Sequence, residues 1–164
     1  MPTATYVPLA TFTGSGVHSF TGIPQTYDHI VVVNYGKGTT AAENVYIQVG
    51  NGSYDSGSNY TFKWYGVNSG GTFNTGSNTA INGFYVGAID NTAFNISTTI
   101  IKNYSSTSIQ KNYIARNGGY NASNQANCIW AGQWTTAGTA ITQLQLPNTF
   151  AAGSTTTIYG LVAH

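Results

Sequence analysis

The chain has 164 residues, of which 5 % are charged and 13 % aromatic, with a formal net charge of +1 at pH 7. That length suits one domain, residues 1–164, burying roughly two-thirds of its unfolded surface. Lys37, Lys63, Lys102, Lys111 and Arg116 are scattered, so no clustered basic footprint exists to neutralise phosphates and no nucleic-acid partner is expected.

Polar character is carried by hydroxyls and amides: 24 Thr, 17 Asn, 13 Ser and 12 Tyr, beside 20 Gly. Thr, Tyr, Val and Ile suit a half-buried pleated surface, and Gly, Asn and Ser suit its turns. The aromatic content sets the chain apart from disordered sequences. In chain order, "TYVPLATFT" alternates, with Pro8 marking an edge or a strand start, and residues 1–15 read as an N-terminal arm or edge strand. "GVHSF" follows, then "YDHIVVVNYG", which Pro24 prepares by holding Ile23 extended. The run Ile30 to Val33 is apolar on both faces, as in a central strand covered above and below. "ENVYIQVG" alternates, with Val45, Ile47 and Val49 on one face. The cluster "NGSYDSGSN" precedes "YTFKWYGV", and "NSGGTFNTGSNTA" reads as a loop before "INGFYVGAI". Strands are then expected in "FNISTTIIKNY", "SIQKNYIAR", "QANCIWAGQW", "AITQLQL" and "TIYGLVA". Ten or eleven short strands with turn signals between them predict an all-β sandwich or barrel.

The chain offers little for catalysis. Asp55 and Asp90 sit in turn contexts ("SYDSGS", "AIDNTA"), where an aspartate caps its own backbone. Asp28 and His29 point to opposite faces of a strand, and no spacing among His18, His29 and His164 suits a metal. No G-x-S-x-G elbow occurs. "DSGSN" lacks the downstream acid of a calcium loop. No cofactor, metal or catalytic residue is therefore expected. The lone Cys128 reads as a small buried hydrophobe, and the five N-x-S/T triplets at Asn51, Asn59, Asn95, Asn103 and Asn121 as products of composition. "MPTATYVPLATFTG" lacks the basic region and apolar core of a signal peptide, and the longest apolar run falls far short of a membrane span of roughly 20 residues. Trp64, Trp130 and Trp134 are expected to fill the core. Tyr54, Tyr60 and Tyr120 lie in or beside Gly/Asn/Ser loops, where they could stack on a glycan or anchor a protein interface.

Three stretches, in order, resemble one class of protein. "SFTGIPQTYDHIVV" is similar to the Ile-Pro-x-Thr-Tyr-x-x-Leu segment of small β-sandwich virion proteins of tailed bacteriophages. "VYIQVGNGSYDSGSNY" resembles the strand and turn that follow it, and "AGQWTTAGTAITQLQLPNTFAAGSTTTIYGL" resembles their closing strands. The chain departs from the class in running "VVVNYGKG" where members often continue into basic residues. The resemblance implies a jelly-roll-like sandwich, often a homotrimer, without catalytic activity. It implies a capsid decoration (cement) protein on the outer capsid surface, whose partner is the major capsid protein. The alternative is a tail- or head-fibre module recognising host surface glycans.

Overall fold

Alternating side chains bury one face of a sheet only against a second layer, and this chain satisfies that need by packing two sheets face to face. The computed structural model describes residues 5–41, 43–67, 71–119, 127–136 and 138–162. Among these lie twelve strands and no helix: β1 (Tyr6–Thr13), β2 (Gly16–Phe20), β3 (His29–Gly36), β4 (Glu43–Gly50), β5 (Tyr60–Val67), β6 (Phe73–Ile81), β7 (Phe84–Ile89), β8 (Asn95–Lys102), β9 (Lys111–Gly118), β10 (Asn127–Trp134), β11 (Gln143–Phe150) and β12 (Thr155–Leu161). Every pairing is antiparallel.

The strand order is that of a jelly roll with an extension. One sheet contains β1-β12-β3-β8 and the other β2-β11-β4-β7. The successive pairs β1/β2, β3/β4, β7/β8 and β11/β12 each divide between the sheets, which is the winding of two Greek keys. β9, β10, β5 and β6 continue the first sheet to eight strands.

The core lies between the sheets. Ile30 and Val32 of β3, Ile101 of β8 and Ile158 of β12 share it with Val45, Ile47, Val86, Leu144 and Leu146 of the smaller sheet. Trp130 and Trp134 are its largest members; Tyr85 meets the Trp130 ring edge-on at 4.0 Å, and Trp64 stacks on it at 5.2 Å. Trp130 and Trp134 are buried as expected, while Trp64 is half-buried. Cys128 is also buried, and burial pushes its thiol pKa up, which keeps it inert.

Of the arm and the edge strand expected for residues 1–15, the chain from Tyr6 onward forms the edge strand β1, paired with β12, with a bulge between Pro8 and Ala10. Two expectations need correction. The segment read as a loop before Ile81 contains β6, and the turn at Asn82 and Gly83 divides "INGFYVGAI" between two sheets. β3 is internal as expected, but among the described residues no second layer covers its outer side. Val31 is only 3 % exposed there because Tyr159 and Ile100 flank it in register.

His18 of β2 closes one corner of the core. Its ring stacks between Phe12 and Phe150, with centroids 4.4 and 4.5 Å away. Nε2–H donates to the Gly14 carbonyl at 3.2 Å, and Nδ1 lies 2.7 Å from the Thr156 hydroxyl, which itself donates to Asn34 Oδ1 at 2.9 Å. Burial holds its pKa below the ordinary 6.5, against the raising effect of the Gly14 carbonyl. Below pH 6.5 the unfolded chain therefore takes up a proton that the folded chain resists, and stability falls with pH until the folded value is passed. Urea midpoints measured from neutral pH downward are expected to drop through this window. His18→Gln should flatten that limb, and an unchanged slope in the variant would refute the assignment.

Candidate docking face

Outward side chains of the eight-stranded sheet meet in transverse rows fixed by strand register. In one row Val31, Ile100 and Ile114 lie side by side on β3, β8 and β9, followed by Ala131 and Lys63 on β10 and β5. The next row runs Val33, Thr98, Arg116, Ile129 and Tyr65. A third places Tyr35 beside Ile96 and, further on, Val67 beside Phe73. Phe73 is 62 % exposed, Ile96 50 %, and Tyr35 and Tyr65 49 % each. Scattered exposed apolar residues are ordinary on a protein surface, but this many on one sheet face make it the candidate interaction surface.

Arg116 stands between two depressions of that face. One, of about 250 Å3, is bounded by Tyr6, Thr98, Ile100 and Ile114. The other, of about 300 Å3, is bounded by Tyr65, Val67, Phe73 and Ile129. Arg116 borders both. The charges on the face are of one sign: Lys63, Lys102 and Arg116 are exposed, and none of the four acids lies in a strand of this sheet. At the β1 end the face is a hydroxyl ladder, with Thr11 paired to Thr157 at 3.1 Å and Thr13 to Thr155 at 3.3 Å.

The tyrosines singled out in the sequence are not brought together on this face. Tyr60 is fully buried at the start of β5, which corrects its reading as a surface contact. Its hydroxyl donates to the Asp55 carbonyl at 2.8 Å and accepts from the Val49 N–H at 3.1 Å. Burial raises its pKa well above the ordinary tyrosine value. The alternation of "YTFKWYGV" carries the missed signal, since Tyr60 shares a face with Phe62 and Trp64. Tyr54 is half-buried beside a polar cleft of about 410 Å3 that Asn51, Asp55, Trp134 and Thr139 also line. Tyr120 lies outside the described residues.

Asp55, Asp90 and Glu43 are occupied with hydrogen bonds of the fold. The Asp55 carboxylate accepts from Trp134 Nε1 at 2.7 Å, the Gly57 N–H at 2.8 Å, Asn59 Nδ2 at 3.0 Å and the Thr136 hydroxyl at 3.4 Å. Burial pushes its pKa up, but these hydrogen bonds outweigh burial and hold it below the ordinary 3.8. Asp90 is buried and accepts from the Thr92 N–H at 2.6 Å and from the Thr92 hydroxyl. Glu43 accepts from the Thr40 hydroxyl and from Asn148. Among the described residues no three His, Cys, Asp or Glu side chains gather where a metal could sit. Lys111 is buried, donating to the Ser106 and Ile109 carbonyls at 2.5 and 2.8 Å, with its pKa lowered by desolvation.

Sequence reasoning missed Arg116 as a site residue, having counted it only among dispersed charges. Its signal lies in "KNYIARNG", where Asn112, Ile114 and Arg116 alternate outward from the buried Lys111, Tyr113, Ala115 and Asn117. No protein-family model, curated protein or solved structure matches this chain.

Proposed function

We propose that this protein is a virion component of a tailed bacteriophage, a capsid decoration protein that docks on the outside of the major capsid shell and stabilises it. The observation that carries this reading is the outer face of the eight-stranded sheet, aromatic and aliphatic around the central Arg116. Interface hot spots are enriched in tyrosine and arginine and cluster near the centre of the contact, where water is excluded. A specific contact buries roughly 800 Å2 on each partner. A sheet of eight strands about 4.8 Å apart, with strands about 25 Å long, presents a face of that order. The cationic bias of the face asks for carboxylates on the shell. Jelly rolls serve in viral capsid proteins and in lectins, and that analogy of fold speaks for docking without naming a partner.

A second reading rests on the cleft beside Tyr54. Its lining of hydroxyls, amides, a carboxylate and a tyrosine suits a sugar, as a fibre module recognising host glycans requires. Electron microscopy of labelled virions separates the two. Label over the head, with co-sedimentation of purified protein and bare shells, is the expected result. Label at the tail, with no protein in the shell pellet, would overturn the decoration reading.

A further inference from the structure

A sheet edge leaves a row of backbone N–H and C=O groups without strand partners, and proteins defend such edges against pairing with another chain. The two sheets end in four edge strands, β1, β6, β2 and β7. β1 carries Pro8 and a bulge. β2 is only five residues long. All six residues of β7 are buried. Among the described residues β6 has no such protection: it runs nine residues as "FNTGSNTAI", exposed along nearly its whole length, with no charge and no proline. Its one irregularity is at Ala80, where φ is 59° and the register with β5 shifts, so Phe73 to Thr79 is regular.

From this we infer that β6 is a self-association edge, pairing antiparallel with β6 of a second copy of this chain about a two-fold axis. A second copy is the fitting occupant because the strand complements itself. Thr75, Ser77 and Thr79 pair successively with Tyr65, Lys63 and Thr61 of β5 and share the outer face. Antiparallel pairing centred on Ser77 sets Thr75 opposite Thr79 of the other copy, and serine opposite serine. Such hydroxyl pairs favour antiparallel neighbours. Charge permits the contact too. The nearest cation is Lys63, beside Ser77 on β5. The two copies' Lys63 residues are three strand spacings apart, about 14 Å, beyond the screening length of about 8 Å at physiological salt.

The isologous contact closes at two copies. It joins the large sheets into one, with both outer faces on the same side. The pairing does not rest on the docking reading: it can fail while capsid binding holds, and the reverse.

Analytical ultracentrifugation of the full chain from about 1 µM to about 100 µM tests it. Wild-type protein is expected to reach the mass of two chains. Ser77→Lys and Ser77→Glu should each weaken association by about tenfold or more, because like charges then face each other across the axis. Equal amounts of the two variants should associate again, and circular dichroism should match wild type because Ser77 is exposed. A monomer throughout the range, a three-chain mass, a dimer indifferent to both substitutions, or a mixture that stays monomeric would each overturn the inference.

Discussion

Asp55→Ala is expected to destabilise the fold by about 3 kcal/mol. The Trp134 indole is 2 % exposed and its N–H is satisfied by this carboxylate. Deleting the acceptor leaves a buried donor unpaired, at a cost of about 1–3 kcal/mol. The same deletion frees the Gly57 N–H and Asn59, which hold the connection between β4 and β5. Asp55→Asn keeps one acceptor oxygen and should cost about half as much. Urea denaturation at neutral pH measures both. The depressed carboxyl pKa adds an acid signature. Its stabilisation is complete above the ordinary 3.8 and is lost as pH falls through the lower folded value. Both variants should lack that loss. An Asp55→Ala protein as stable as wild type would mean that the corner is not built on this carboxylate.

Arg116→Glu is expected to weaken binding to bare shells by about thirtyfold or more, the effect of losing a hot spot worth at least about 2 kcal/mol. Arg116 is the exposed cation bordering both depressions, so reversing its charge places a carboxylate where the shell is proposed to supply one. Lys102→Glu, at the end of β8, should cost less, since rim charges in water contribute little to affinity. Stability should stay within about 0.5 kcal/mol of wild type, as exposed substitutions usually do. Pelleting of shells with increasing amounts of each variant gives the affinities. Equal binding by wild type and Arg116→Glu would remove this face as the docking surface.

Eleven of the twelve strands were legible because each carries its own alternation or apolar run, a signal of period two that needs no knowledge of neighbours. β6 was not. "FNTGSNTAI" has turn-forming residues and no buried face, and it is a strand because β5 offers a pairing partner. Gly76 adds a steric condition, since a Cβ there would fall 2.3 Å from Trp64 Nε1. Tyr60 was misplaced for a related reason. Its loop-like neighbours on the N-terminal side outweighed the alternation that begins with it, and only the packed β5 shows its ring meeting Phe84 and Trp134.

The sequence by itself determined the all-β class, most strands, the burial of Trp130 and Cys128, and the turn roles of Asp55 and Asp90. These follow from interactions between residues a few positions apart or from the side chain's own chemistry. Tertiary structure alone decided which strands became neighbours. Arg116, Ile129 and Tyr65 stand side by side because β9, β10 and β5 pair in a particular register. β5 is far from the other two along the chain, so pairing across sheets and loops had to select that partner and its register. The proposed docking face and the exposed β6 edge are products of that selection.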